Sequence, residues 1–163
     1  MRVEDVMMRT PVCCGSETNL GAATEMLWSR NCGMLPIVNA QQKVIGVITD
    51  RDLCIALGTR NQLAGQIAVG DVMTGTVYSC RPEDDIHAAL DTMARNRVRR
   101  LPVISKEGHL EGILSMDNVV LHADAAGTGN TAELAPRDIV VTLQRIYGPL
   151  VPQLVEARAA TAR

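Results

Sequence analysis

The chain has 163 residues, 47% of them apolar, and a formal net charge of −2. That size suits one ordinary domain or two small ones, and the charge argues against nonspecific binding to nucleic acid or acidic membranes. No apolar run approaches a membrane-spanning length, and Met1-Arg2-Val3-Glu4-Asp5 lacks the apolar stretch of a signal peptide. A cytoplasmic protein with neither nucleic-acid nor membrane partners is therefore expected. With no Phe, its core must be aliphatic.

Taken in order, Val3 to Met7 reads as a short lead-in helix and Thr10 to Cys14 as a turn into a strand. Ser16 or Thr18 is placed to cap a helix in which Leu20, Ala23, Thr24, Leu27 and Trp28 recur at helical spacing. Met34 to Val38 and Lys43 to Ile48 read as paired strands around the turn Asn39-Ala40-Gln41-Gln42. Asp50 to Leu57 reads as a closing helix stopped by Gly58. After a linker at Thr59 to Gly65 the order returns. Pro82 to Asp85 opens a helix with Ile86, Ala89, Leu90 and Met93, and Leu101 to Ile104 pairs with Leu110 to Leu114. Met116 to Asp124 closes the second unit. Ala125 to Asn130 reads as a linker. Pro136 suits the first turn of a tail helix whose apolar stripe is Ile139, Val140, Leu143 and Ile146, with Leu150, Leu154 and Val155 continuing weakly.

Gly46-Val47-Ile48-Thr49-Asp50-Arg51-Asp52-Leu53 is echoed by Gly112-Ile113-Leu114-Ser115-Met116-Asp117-Asn118-Val119, 66 positions later. The same offset relates Val3-Glu4-Asp5-Val6-Met7 to Val69-Gly70-Asp71-Val72-Met73, and Leu35-Pro36-Ile37-Val38 to Leu101-Pro102-Val103-Ile104. A fixed period signals a duplicated unit. This pattern resembles the cystathionine beta-synthase (CBS) domain in tandem, whose marks are V-x-D-V-M, L-P-V-V and G-h-h-[ST]-x-x-D, where h is apolar. The resemblance implies an α/β (α+β) fold of two β-α-β-β-α repeats, 1–62 and 66–125, packed about a pseudo-two-fold axis. A helical tail at 131–163 lies outside it. It also implies flat homodimers packed through the closing helices, near Leu53 to Leu57 and Val119 to Leu121.

Thr49 and Asp52 form a capping box, which needs no ligand. The same pair offers more. A carboxylate has two acceptor oxygens for the two hydroxyls of a ribose, and a helix start with a hydroxyl suits phosphate. The resemblance implies adenosyl ligands in clefts between the repeats: AMP, ADP, ATP, S-adenosylmethionine or NAD. It assigns a first site to Val47, Thr49, Asp52, Thr76, Val77, Tyr78, Val98 and Arg99. A second site takes Thr10, Pro11, Val12, Cys32, Arg99, Arg100, Ile113, Ser115 and Asn118. Asn118 departs from the family's Asp, and an uncharged amide with one acceptor should hold a ribose less firmly. Arg97, Arg99 and Arg100 read either as phosphate ligands, through the planar guanidinium fork, or as a solvated basic edge.

Cys13, Cys14, Cys32, Cys54 and Cys80 include no C-x-x-C pair, so small buried apolar residues are expected rather than a metal site. His87, His109 and His122 are scattered, and no catalytic motif is present. Two functions from different classes follow. One is a regulatory module, not an enzyme, that senses adenosyl nucleotides and signals to its dimer mate or to an unidentified regulated protein. The other is a structural or interaction protein with vestigial nucleotide sites that binds a partner through its tail helix or dimer surface.

Overall fold

Each repeat builds an antiparallel hairpin flanked by helices. In the first, α1 (Leu20–Ser29) leads to β1 (Met34–Val38), β2 (Val44–Thr49) and α2 (Asp50–Thr59). In the second, α3 (Ile86–Asn96) leads to β3 (Arg100–Ile104), β4 (Leu110–Ser115) and α4 (Met116–His122), and a further helix, α5 (Pro136–Tyr147), follows. This is a computed structural model, and it describes residues 1–123 and 134–149. The expected linker at Ala125 to Asn130 and the continuation at Leu150, Leu154 and Val155 lie outside those residues.

The strand expected to open each repeat is reduced to a single parallel bridge, Cys14 to Ile37 and Cys80 to Val103. Both thiols are buried, as expected of core residues, but Cys54 is exposed on α2 and Cys13 and Cys32 are only half-buried. Burial raises the Cys14 pKa, and burial followed by the nearby Asp84 charge pushes Cys80 up to about 12. Pro36 and Pro102 sit mid-strand, where proline would normally forfeit a ladder bond. Pro36 lies opposite Val47, and Val47 directs both its N–H and its C=O away from β1, to Thr74. Pro102 lies opposite Ile113, which does the same toward Met8. Each proline therefore occupies a non-hydrogen-bonded position and leaves no donor unpaired.

Those outward bonds reveal how the repeats are joined. Met8 exchanges two backbone bonds with Ile113, at 2.9 and 3.0 Å, and Thr74 exchanges two with Val47, at 2.9 and 3.1 Å. The lead-in segment of each repeat thus extends the hairpin of the other. Their side chains follow: Val3, Val6 and Met7 are buried in the core of the second repeat, whereas Ile67 and Val69 are buried in the core of the first. The glycine that opens each repeated motif is explained by this approach. A Cβ on Gly46 would lie 2.8 Å from Met73 Sδ, and one on Gly112 would lie 2.7 Å from both Met7 Sδ and the Met8 carbonyl oxygen.

Some expectations change. α1 is capped by Asn19, whose Oδ1 accepts from the Ala22 N–H at 2.9 Å, and not by Ser16 or Thr18. The Thr18 N–H instead closes a turn onto Gly15 O, leaving Asn19 as the last extended residue before the helix. Trp28 lies on the expected apolar stripe of α1 yet is 80% exposed. Gly58 does not stop α2, which runs on to Thr59, whose hydroxyl donates to Ile55 O at 2.7 Å. The tail helix packs against α3 and α4. Ile139 and Ile146 face that packing, with Leu143 partly buried against it, but Val140 faces outward and Thr142 takes a buried place. The Thr142 hydroxyl is satisfied by Asp138 O at 2.7 Å. His87 Nε2 to Asp138 Oδ2 at 3.4 Å and Arg145 to Asp91 at 2.9 Å tie α5 to α3.

Candidate functional site: the cleft at the junction of the repeats

The repeated motif ends at two helix starts with the same local design. Thr49 is extended, with φ −120° and ψ 163°, and caps α2. Its N–H and Oγ1–H both donate to Asp52 Oδ2, at 2.9 and 2.7 Å, and its Oγ1 accepts from the Asp52 N–H at 3.3 Å. The reciprocal box leaves Asp52 Oδ1 with no protein partner among the described residues. Ser115 and Asn118 repeat the geometry at α4. The Ser115 N–H and Oγ–H donate to Asn118 Oδ1 at 3.0 and 2.6 Å. A backbone N–H can only donate, so it fixes the amide oxygen inward. The free end of Asn118 is then an NH2 donor, where Asp52 offers an acceptor.

Around Thr49 and Asp52 lies a cavity of about 590 Å³ lined by residues of both repeats. It gathers Val47, Thr49, Asp52, Thr76, Tyr78, Val98 and Arg99 from the expected first site, together with Arg100 from the expected second. Val77 is half-buried and does not line it. Reading the sequence missed Gly33, Met34, Asp50, Arg51, Thr74, Pro102, Ile146 and Tyr147, and it left Arg97 unassigned. The position of Gly33 just before the central L-P motif was the available signal. A Cβ there would come within 3.1 Å of Arg100 Nη2 and 3.2 Å of Asp50 Oδ2, so only glycine leaves both side chains their present places. For Ile146 and Tyr147 the sequence holds no signal, since their stripe says that α5 docks and not where.

The charges are unequal. Arg51, Arg97, Arg99 and Arg100 face the cavity against Asp50 and Asp52. Arg97 has the left-handed backbone, φ 56° and ψ 39°, that ends α3. Its guanidinium donates to Ile146 O at 3.0 Å and to Gly148 O. Arg99 Nη1 donates to the Tyr147 hydroxyl at 3.2 Å. The arginines are thus distributed between holding α5 and presenting positive charge to an open space.

The expected second set is not drawn together in the same way. Cys32 and Arg100 line a separate groove with Trp28, Leu53, Cys54 and Asp117. Thr10, Pro11, Val12, Ile113, Ser115 and Asn118 line neither cavity. Ile113 and Ser115 are buried, the former beneath the lead-in segment with which it pairs.

Two pseudo-symmetric α/β repeats with interchanged lead-in segments and a polar cleft at their junction define a tandem-repeat module. The CBS domain model matches residues 3–59 and 69–124, and the chain belongs to the CBS domain family. It is 28% identical over 120 residues to an inosine-5'-monophosphate dehydrogenase of Thermoplasma acidophilum. That match covers 73% of this chain but 23% of the dehydrogenase, so the chain spans under a quarter of that relative's length. Among solved structures it is similar to CBSX2 in complex with AMP. The TM-score is 0.65 at 27% identity, covering 74% of this chain and 93% of that one. A CBS domain pair in complex with 5'-methylthioadenosine and S-adenosyl-L-methionine shares the fold, with a TM-score of 0.68 at 21% identity over 74% of this chain and 94% of that one. No described helix is long and apolar enough to cross a membrane.

Proposed function

We propose that this chain is a regulatory module that binds an adenine nucleotide in the cleft containing Thr49 and Asp52. The observation that carries the proposal is the opposition of two chemistries across one cavity. The spare oxygen of Asp52 suits a ribose hydroxyl, and the arginines of the second repeat suit phosphate. The flanking Val47 and Val98 are apolar surfaces for a flat base. The family relationship supports the same reading, through the AMP held by one solved relative. With more arginines than aspartates facing the space, AMP, ADP or ATP fits better than S-adenosylmethionine, whose sulfonium adds positive charge. Titration calorimetry tests this directly. AMP or ATP should bind wild type and should raise its melting temperature, as any ligand selective for the native state must. If adenosine, AMP, ATP and S-adenosylmethionine all fail to bind, the reading is overturned.

Occupancy would be passed on through a homodimer. Ile55 and Leu57 on α2, with Val120 and Leu121 on α4, are exposed apolar residues on the closing helices. Leu121 is 81% exposed, and exposed apolar residues on the closing helices of both repeats suit an interaction surface. Leu121→Asp combined with Ile55→Asp should leave a folded monomer by light scattering. An unchanged mass would assign those faces another role.

A further inference from the structure

We propose that Tyr147, at the end of α5, is a specificity residue that contacts the phosphate of the bound nucleotide. The tail helix is then part of the ligand site. This rests on the nucleotide reading above and extends it to a residue beyond 124, where the match to the CBS family ends.

The placement of Tyr147 carries the inference. Ile146 and Tyr147 line the cavity that holds Thr49 and Asp52. Their position is anchored, because Arg97 donates to the carbonyls on either side of Tyr147, those of Ile146 and Gly148. Arg97 holds its guanidinium there from a left-handed backbone that non-glycine residues adopt at a cost. Between those two anchors the Tyr147 hydroxyl accepts from Arg99 Nη1. A phenol has one hydrogen to donate. With Arg99 donating to its oxygen, that hydrogen is left for an acceptor elsewhere. Arg99 and Tyr147 therefore place N–H and O–H donors side by side at the edge of the space, a pairing that suits an anionic phosphate oxygen better than the uncharged nucleoside. Arg99 also makes the Tyr147 hydroxyl a stronger donor by polarising it.

The experiment is calorimetry on the full chain with adenosine, AMP and ATP, comparing wild type with Tyr147→Phe. The variant removes only the hydroxyl, and an unchanged melting temperature verifies that α5 remains docked. Loss of a hydrogen bond to a charged acceptor should weaken AMP and ATP about tenfold and leave adenosine unaffected. In a double-mutant cycle with Arg99→Met, the two losses should be less than additive for AMP, because the groups act as one clamp. Unchanged AMP affinity in Tyr147→Phe overturns the inference while leaving the nucleotide reading standing. So does an equal loss for adenosine and AMP, which would place the effect in packing. Absence of binding to wild type by all three, and by S-adenosylmethionine, overturns both, and wild type alone reveals it.

Discussion

The helix starts at Thr49 and Ser115 are two versions of one device, and the difference that faces outward is the free atom of the third residue, an oxygen in Asp52 and a nitrogen in Asn118. In both, a hydroxyl and a side chain three residues on satisfy one another and the backbone. The structural task takes one acceptor oxygen at each place. Asp52 has a second oxygen left over, and Asn118 has an amide nitrogen. Capping therefore constrains the motif's spacing, while the spare atom decides what else the helix start can do. The cavity that gathers the expected first-site residues lies at the copy with the spare oxygen. The motif in the second repeat keeps the cap and presents an amide nitrogen where the first presents a carboxylate oxygen.

The most damaging way to test the equivalence of the halves is at their opening glycines. Gly112→Ala forces a Cβ against the Met8 carbonyl oxygen, which is backbone, whereas the nearest atom to Gly46 is the flexible Met73 sulfur, with Thr74 O at 3.1 Å. Urea unfolding should show a loss toward the upper end of about 1–3 kcal/mol for Gly112→Ala and a smaller loss for Gly46→Ala. Equal losses would mean that the two junctions relax alike. Ligand binding separates the copies next. Asp52→Ala should weaken a bound nucleotide by about 1.5–3 kcal/mol, and Asn118→Ala should leave that affinity alone, although each also loses part of its capping box. Calorimetry on both variants would break the contrast if Asn118→Ala matched Asp52→Ala.

Asn118→Asp sharpens the comparison from the other side. A carboxylate in the first turn of α4 should add about 0.3–1 kcal/mol of stability through the helix dipole. It should also improve ribose binding at the second repeat, seen as an added binding event. A binding stoichiometry that stays unchanged would show that the amide is not what separates the sites. The smallest effect concerns α5, which packs on the second repeat and has no counterpart on the first among the described residues. A hydrogen bond from Arg145, with Arg95 also nearby, holds the Asp91 carboxyl below its usual range. The backbone N–H of His87 does the same for Asp85. A lowered native pKa stabilises fully above the unfolded value, near ~3.9, and that contribution is lost as pH falls through the native value. Amide chemical shifts of α5 should therefore move in that acid window while those of α1 stay put. Simultaneous movement would place the acid sensitivity elsewhere.

Much of this was legible because it is local. The two hairpins, the Thr49 capping box and the duplication follow from residues a few positions apart, or from the repeat offset. Asn19 was missed because a tight turn consumed Thr18 first, and Gly58 misled because glycine permits a helix stop without requiring one. Most residues expected at the first site line one cavity, since they lie at motif positions that the family resemblance assigns. Its remaining wall was not legible. The place of Tyr147 depends on which face of the second repeat receives α5, and that is settled by Ile139 and Ile146 packing and by Arg97 reaching two carbonyls. The buried places of Val3 and Val69 were apparent as apolar residues, but nothing in the repeat says that each belongs in the other half.

That interchange makes each half a key cut for its neighbour. A polypeptide carrying one repeat has a lead-in with no hairpin to extend and a hairpin edge with no lead-in. It can satisfy both only by taking a second molecule, giving a symmetric pair in which every contact occurs twice. Joining the copies in one chain turns that meeting into an intramolecular event at high effective concentration. It also frees the halves to diverge, since two positions once bound to share a sequence can then mutate separately. Asp52 and Asn118 are an instance: one partnership, built of interchangeable parts, whose members have taken different trades.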